Sequence, residues 1–210
     1  MTKAPEQRWT LADEVNRFSE AWREASEQTY RSLLAANRAT LAASGLSTRS
    51  QPAVDSLSFV EEDWETERVI REPGRVSVGD RVTFGKRITD RDLDRFALAS
   101  GDTNRLHLDK MFAEESRFGG RIAHGTLVAG LISAALARFP GLTVYLSQDL
   151  TFLNPVEIGE RLTAECEVVE DLGERRYRLM TTVTDPDGGT VIDGEAVVLI
   201  DELPDVSAET

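Results

Sequence analysis

Residues that usually anchor chemistry are scarce in this chain: it has one cysteine, two histidines, and lysine only at positions 3, 86 and 110. The lone Cys166 excludes an internal disulfide, and with only two histidines beside it a metal site is not expected. Cys166 reads instead as a small hydrophobe on a strand face. No apolar run approaches the roughly 20 residues needed to span a bilayer, and Met1–Gln7 carries no apolar signal-peptide core. A soluble, cytoplasmic protein is therefore expected. Carboxylates dominate the charge, 37 Asp and Glu against 24 Lys and Arg, for a net charge of -13. Nucleic acid and anionic membranes are excluded as main partners, because both would be repelled. Many carboxylates with few lysines is also the balance of a halophilic protein, in which salt screens the self-repulsion.

What is present begins with a long amphipathic stripe. From Leu11 to Ala43 apolar or small residues recur at Leu11, Val15, Phe18, Trp22, Ala25, Thr29, Ser32, Ala36, Ala39 and Ala43, a helical spacing of four and three. Thr10 with Asp13 supplies a start signal and Gly45 a stop. Such a helix has no core of its own and must lie on a partner, a second copy or the rest of the chain. Residues 1–50 form this helical extension and are nearly charge-balanced, so the acidic excess belongs to residues 51–210. Residues 51–75 read as a linker region: Ser44–Pro52 is rich in Ser and Thr, and 55–72 show no clear period.

After Pro73-Gly74 the pattern changes. Val82 and Phe84 alternate with Thr83 and Gly85, as in a half-buried strand, and Thr89 opens a short helix over Asp90–Ala99. Gly125–Phe139 is Leu, Ala, Val, Ile, Gly and Ser with one late charge, Arg138; a helix apolar nearly all round should be buried. Strand patterns follow over Thr143–Leu153, Arg161–Val169, Arg176–Thr184 and Thr190–Asp201, with turn signals at Asn154-Pro155, Asp171–Gly173 and Asp185–Gly189. Consecutive strands on short turns should pair antiparallel. The expected class is α+β, an antiparallel sheet wrapped around a central helix, over residues 76–203.

Both histidines fall in one window, Ser100-Gly-Asp-Thr-Asn-Arg-Leu-His107 and Ile122-Ala-His-Gly-Thr126. A carboxylate (Asp102) and an imidazole (His107) held together can share one water and do acid–base chemistry, with Asn104 fixing the carboxylate or a carbonyl. Gly125 opens the apolar helix, so its N–H points outward at the positive end of the helix dipole, where an oxyanion can be received. His124 reads either as a structural group beneath the helix start or as a direct contact to substrate. Arg117 and Arg121 are candidates for contact with an anionic ligand, or solvated surface charges.

Gly101-Asp-x-Asn-x-x-His107, followed after sixteen intervening residues by His124-Gly125, resembles the hydratase-2 signature of the MaoC-like, (R)-specific enoyl-CoA hydratases. The resemblance runs from about Val76 to Asp201 and includes Phe152-Leu-Asn-Pro-Val156. It implies a hot-dog fold working as a homodimer, with the thioester tunnel near the subunit interface and no metal or redox cofactor. It further implies that Asp102 and His107 activate the water added to a trans-2-enoyl thioester, that Asn104 supports them, and that the Gly125 amide polarises the thioester carbonyl. The product would be an (R)-3-hydroxyacyl-CoA, formed by reversible syn hydration of an acyl-CoA substrate. Arg105 stands where the family usually has proline, which loosens the loop or adds a contact to the CoA phosphates.

Such an enzyme could supply polyhydroxyalkanoate precursors. The amphipathic extension is weakly similar to phasins, which points to a polyester granule or a protein as its partner. Two alternative readings remain open, an acyl-CoA thioesterase on the same fold and a non-catalytic granule or assembly scaffold.

Overall fold

The computed structural model describes Val54 and residues 56–204; the helix expected over Leu11–Ala43 and the linker over Ser44–Pro52 lie outside these described residues. The first strand, β1 (Glu65–Val69), arises where the sequence shows no period, and all five of its residues are exposed. Its register comes from antiparallel pairing with β2 (Arg81–Arg87), Glu65 opposite Gly85 and Val69 opposite Arg81. The sheet therefore begins ahead of Val76, within the stretch expected to be linker. Edge position explains the missing pattern, because a strand with neither face packed has no reason to alternate.

Four helices come next: α1 (Asp90–Ser100), α2 (Arg105–Leu108), α3 (Lys110–Glu114) and α4 (Gly125–Leu136). The chain closes with β3 (Leu142–Phe152), β4 (Arg161–Gly173), β5 (Arg176–Thr184) and β6 (Thr190–Asp201). The sheet order is β1-β2-β4-β5-β6-β3, with every neighbouring pair antiparallel. Alternation on β4 is strict: Leu162, Ala164, Cys166 and Val168 are wholly buried, and burial pushes the Cys166 thiol far above its ordinary range. They form one core with Leu179, Val183 and Val198 of the neighbouring strands and with Val128, Leu131, Ile132, Ala135 and Leu136 of α4. Burying each of these larger aliphatic side chains contributes about 1.5–3 kcal/mol. This layout is the hot-dog arrangement, a curved sheet around a central helix.

Four expectations change in detail. The helix α4 is buried on one side only: Thr126, Gly130 and Ser133, at spacings of four and three, are exposed. One sheet can cover only one face of a helix, and small residues on the other face raise the apolar appearance of the sequence without being enclosed. The helix also stops at Leu136, before Phe139. There the buried Arg138 guanidinium donates back to the Ala134 carbonyl and to Thr66 Oγ1 and lies 4.1 Å over the Phe84 ring. With no carboxylate near enough for an ion pair among the described residues, burial pushes its pKa down to about 10.

The third change is topological. Strand β3 does not pair with β4, as consecutive strands should; it lies at the sheet's far edge against β6. Asn154-Pro155 is therefore part of a strap, residues 153–160, that carries the chain across the sheet. Leu153 and Asn154 donate their amides to the Val191 carbonyl, and the Ala123 amide donates to that of Val156. The strap thereby pins the segment just before α4. The β4–β5 turn also shifts, from Asp171–Gly173 to Glu174-Arg175, both at positive φ (52° and 60°), with register slips between Val168 and Glu170 and between Asp171 and Gly173. No helix among the described residues is long and apolar enough to cross a membrane.

Candidate active site

Local capping sets the site. A capping box between Thr89 and Asp92 starts α1, and Gly101 ends it at φ 78°, a left-handed position that glycine occupies without strain. The chain then turns outward through Asp102, whose Oδ1 accepts the Asn104 amide at 3.2 Å. Asn104 in turn accepts the Leu106 amide on its own Oδ1 at 3.0 Å and so caps α2. Asn104 thus supports the loop in two ways: its backbone N–H fixes the turn that carries Asp102, and its carboxamide oxygen starts the helix that carries His107. Both Asp102 and Asn104 are exposed.

His107 is nearly buried and points inward. Its Nδ1 lies 2.8 Å from the Ile122 carbonyl oxygen, which can only accept, so Nδ1 carries the proton and Nε2 presents a lone pair. His124, almost fully buried, is the residue before α4; its Nε2 donates to the Asp102 backbone carbonyl at 3.1 Å. Its Nδ1 is buried with no hydrogen-bond partner. Burial pushes the His124 pKa below its ordinary value; the bond to Asp102 opposes this and neighbouring His107 adds to it. His124 is accordingly neutral. The two imidazoles lie with centroids 4.0 Å apart at 31°, and the Phe96 ring lies 4.9 Å from that of His124.

Asp102, His107 and His124 each offer a ligand atom within 4.8 Å of the others. Two imidazoles and a carboxylate are donors that transition metals accept. One nitrogen of each ring, however, is committed to a backbone carbonyl, His107 Nδ1 to Ile122 and His124 Nε2 to Asp102. This geometry suits a shared water better than a chelated ion.

Across from His107 lies the start of α4. A Cβ on Gly125 would come within 2.9 and 3.0 Å of two ring carbons of Phe152, so any side chain there must displace that ring. His107 and Gly125 line one cavity of about 280 Å³ whose other walls include Ile122, Val128, Phe152 and Ile192. Asp102 and Asn104 stand outside that lining, on the exposed turn. Two features were hidden from the sequence: the Ile122 carbonyl that sets the His107 tautomer, and the Phe152 ring against Gly125. A backbone carbonyl leaves no signature, and Phe152 shows only as an aromatic before Leu-Asn-Pro.

The arginines divide. Arg105 is held by Asp109 (2.7 Å) and lies 4.4 Å over the Phe112 ring. Asp109 itself accepts the Phe112 amide and then Arg105, which hold its carboxyl below the usual range. Arg121 is paired with Asp90 at 2.5 Å. Arg117 has no carboxylate within 4.0 Å among the described residues; its guanidinium lies 4.8 Å over the Phe118 ring, and it lines the cavity.

Comparison with known proteins identifies the family. Residues 75–188 match the family model described as the MaoC like domain. A 3-hydroxybutyryl-CoA dehydratase of Methylorubrum extorquens is 42% identical over 127 residues, 60% of this chain and 81% of the relative. An (R)-specific enoyl-CoA hydratase of Rhodospirillum rubrum is 38% identical over 127 residues, 60% of this chain and 88% of the relative. Among solved structures, the unliganded R-hydratase PhaJ1 of Pseudomonas aeruginosa superposes with a TM-score of 0.59 at 39% identity, covering 69% of this chain and all of the other.

Proposed function

We propose, from the premise that this chain belongs to the MaoC-like dehydratase family, that it hydrates trans-2-enoyl-CoA reversibly and (R)-specifically to (R)-3-hydroxyacyl-CoA. At the coarser level it is a hydro-lyase of the enoyl-CoA hydratase and 3-hydroxyacyl dehydratase kind. The observation that carries the finer reading is the His107 tautomer: with Nδ1–H spent on Ile122, Nε2 is left as the base, on a residue that offers a ligand atom within 4.8 Å of the Asp102 carboxylate and lines one cavity with Gly125.

In this reading the thioester oxygen accepts the Gly125 amide. The amide and the helix dipole then stabilise the enolate charge that develops as water adds. Asp102 and His107 hold the water. Its oxygen bonds to C3, the proton it loses passes to the pair, and a proton returns from the pair to C2 on the same face, giving syn addition. Proton bookkeeping closes without a metal or redox cofactor. Asn104 holds the loop, and His124 keeps the Asp102 backbone in place by its Nε2–H bond. The apolar walls receive the acyl chain.

A homodimer belongs to the same reading. Among the described residues β3 pairs only with β6, and it exposes Val144, Tyr145, Leu146 and Phe152, the kind of apolar edge that a second copy would cover. Supply of polyhydroxyalkanoate synthesis is the proposed use of the product, with residues 1–50 as the attachment to granule or partner; deleting them and measuring granule association tests this.

The enzymatic test is an assay with crotonyl-CoA. The expected result is loss of enoyl absorbance without release of free thiol, and an (R) product on a chiral column. Thiol release would identify a thioesterase, and inertness a scaffold.

A further inference from the structure

Resting on the proposed function, we infer that Arg117 is the phosphate anchor of the carrier: its guanidinium grips the phosphate that ends the pantetheine arm shared by CoA and acyl carrier protein. Of the three arginines that bracket the site, Arg105 and Arg121 are committed to Asp109 and Asp90. Arg117 alone of the three lines the cavity, and among the described residues it has no carboxylate within ion-pair distance. An exposed guanidinium stacked on an aromatic ring is held in place with its N–H edge open, a form suited to bidentate phosphate binding. In a chain of net charge -13 a cation that lines the cavity, free of carboxylates among the described residues, answers a specific electrostatic need. A phosphorylated thioester approaches against the protein's overall field and requires local positive charge where its arm enters.

Calorimetry with CoA, 4′-phosphopantetheine and pantetheine tests this without any turnover. Arg117→Gln should weaken CoA and phosphopantetheine about tenfold, leave pantetheine unchanged, and flatten the salt dependence of CoA binding; Arg117→Lys should recover part of the loss. Unchanged CoA affinity in Arg117→Gln overturns the inference. So does equal weakening of pantetheine, which would mean a disturbed cavity, or a loss seen with CoA but not phosphopantetheine, which would put the contact on the nucleotide. A larger loss from Arg105→Gln or Arg121→Gln overturns it as well. If the wild type binds CoA through Arg117 yet hydrates no enoyl thioester, the anchor stands and the proposed hydration falls.

Discussion

Replacing Gly125 by alanine separates two reasons for a glycine at the head of α4. The added methyl would sit 2.9 Å from Phe152 Cε1. Carbon–carbon contacts are most favourable at about 3.5–4.0 Å, so the ring must retreat by roughly 0.6–1.1 Å. Phe152 is 52% exposed, which gives it somewhere to go. The stability cost therefore belongs at the low end of the overpacking range, about 1 kcal/mol. Activity should suffer more, because the methyl and the displaced ring both crowd the approach to the amide. Loss of one oxyanion donor costs about 10²–10³-fold in kcat, and obstruction should reach about 10²-fold. Urea midpoints and crotonyl-CoA kinetics for Gly125→Ala, Phe152→Ala and the double variant close the cycle. Phe152→Ala should restore most of the stability lost by Gly125→Ala and only part of the rate. Full activity in Gly125→Ala, which keeps the backbone N–H, would refute crowding of the amide by the methyl and the ring, and strictly additive stabilities would refute the contact as the reason for glycine.

Other outcomes follow from the same structure. His124 has a folded-state pKa below that of the unfolded chain, so the unfolded state binds more protons between the two values. Stability should be full above about pH 6.5, the ordinary histidine value, and fall as pH drops from there through the lowered folded value. Urea midpoints against pH should show this slope and lose it in His124→Gln. Arg138→Ala removes donors to Thr66 and Ala134 together with the packing on Phe84. It should cost about 2–3 kcal/mol in denaturant melts with kcat unchanged in the folded fraction. Leu146→Lys places a charge on the exposed β3 edge and should shift sedimentation from dimer to monomer; an unchanged dimer would place the interface elsewhere.

The fold was legible wherever one face of an element is buried. Leu162, Ala164, Cys166 and Val168 alternate because one side meets α4, and Thr89 with Gly101 marks α1 through its caps. Strand β1 was not legible, since its register comes from hydrogen bonds to β2 and no face of it is packed. The strap at 153–160 misled for a related reason: Asn154-Pro155 looks like a hairpin, and only the strand order shows that β3 has crossed to the other edge. In the site, spacing pointed to Asp102, Asn104, His107 and Gly125. It could not show that Asn104 spends its carboxamide oxygen on the Leu106 amide, or that Arg105 turns to Asp109. Those outcomes depend on local rotamers. The His107 tautomer depends on a backbone carbonyl fifteen residues away in sequence.

The central claim is that Asp102 and His107 jointly activate one water. Its most direct test is the single-turnover hydration rate of crotonyl-CoA by Asp102→Asn and His107→Gln, each checked for an unchanged thermal melt. Each variant should lose about 10²–10⁴-fold in rate, and the double variant should lose little more than the worse single one, because the two groups act on the same water. Rates within threefold of wild type in either folded variant would contradict the account.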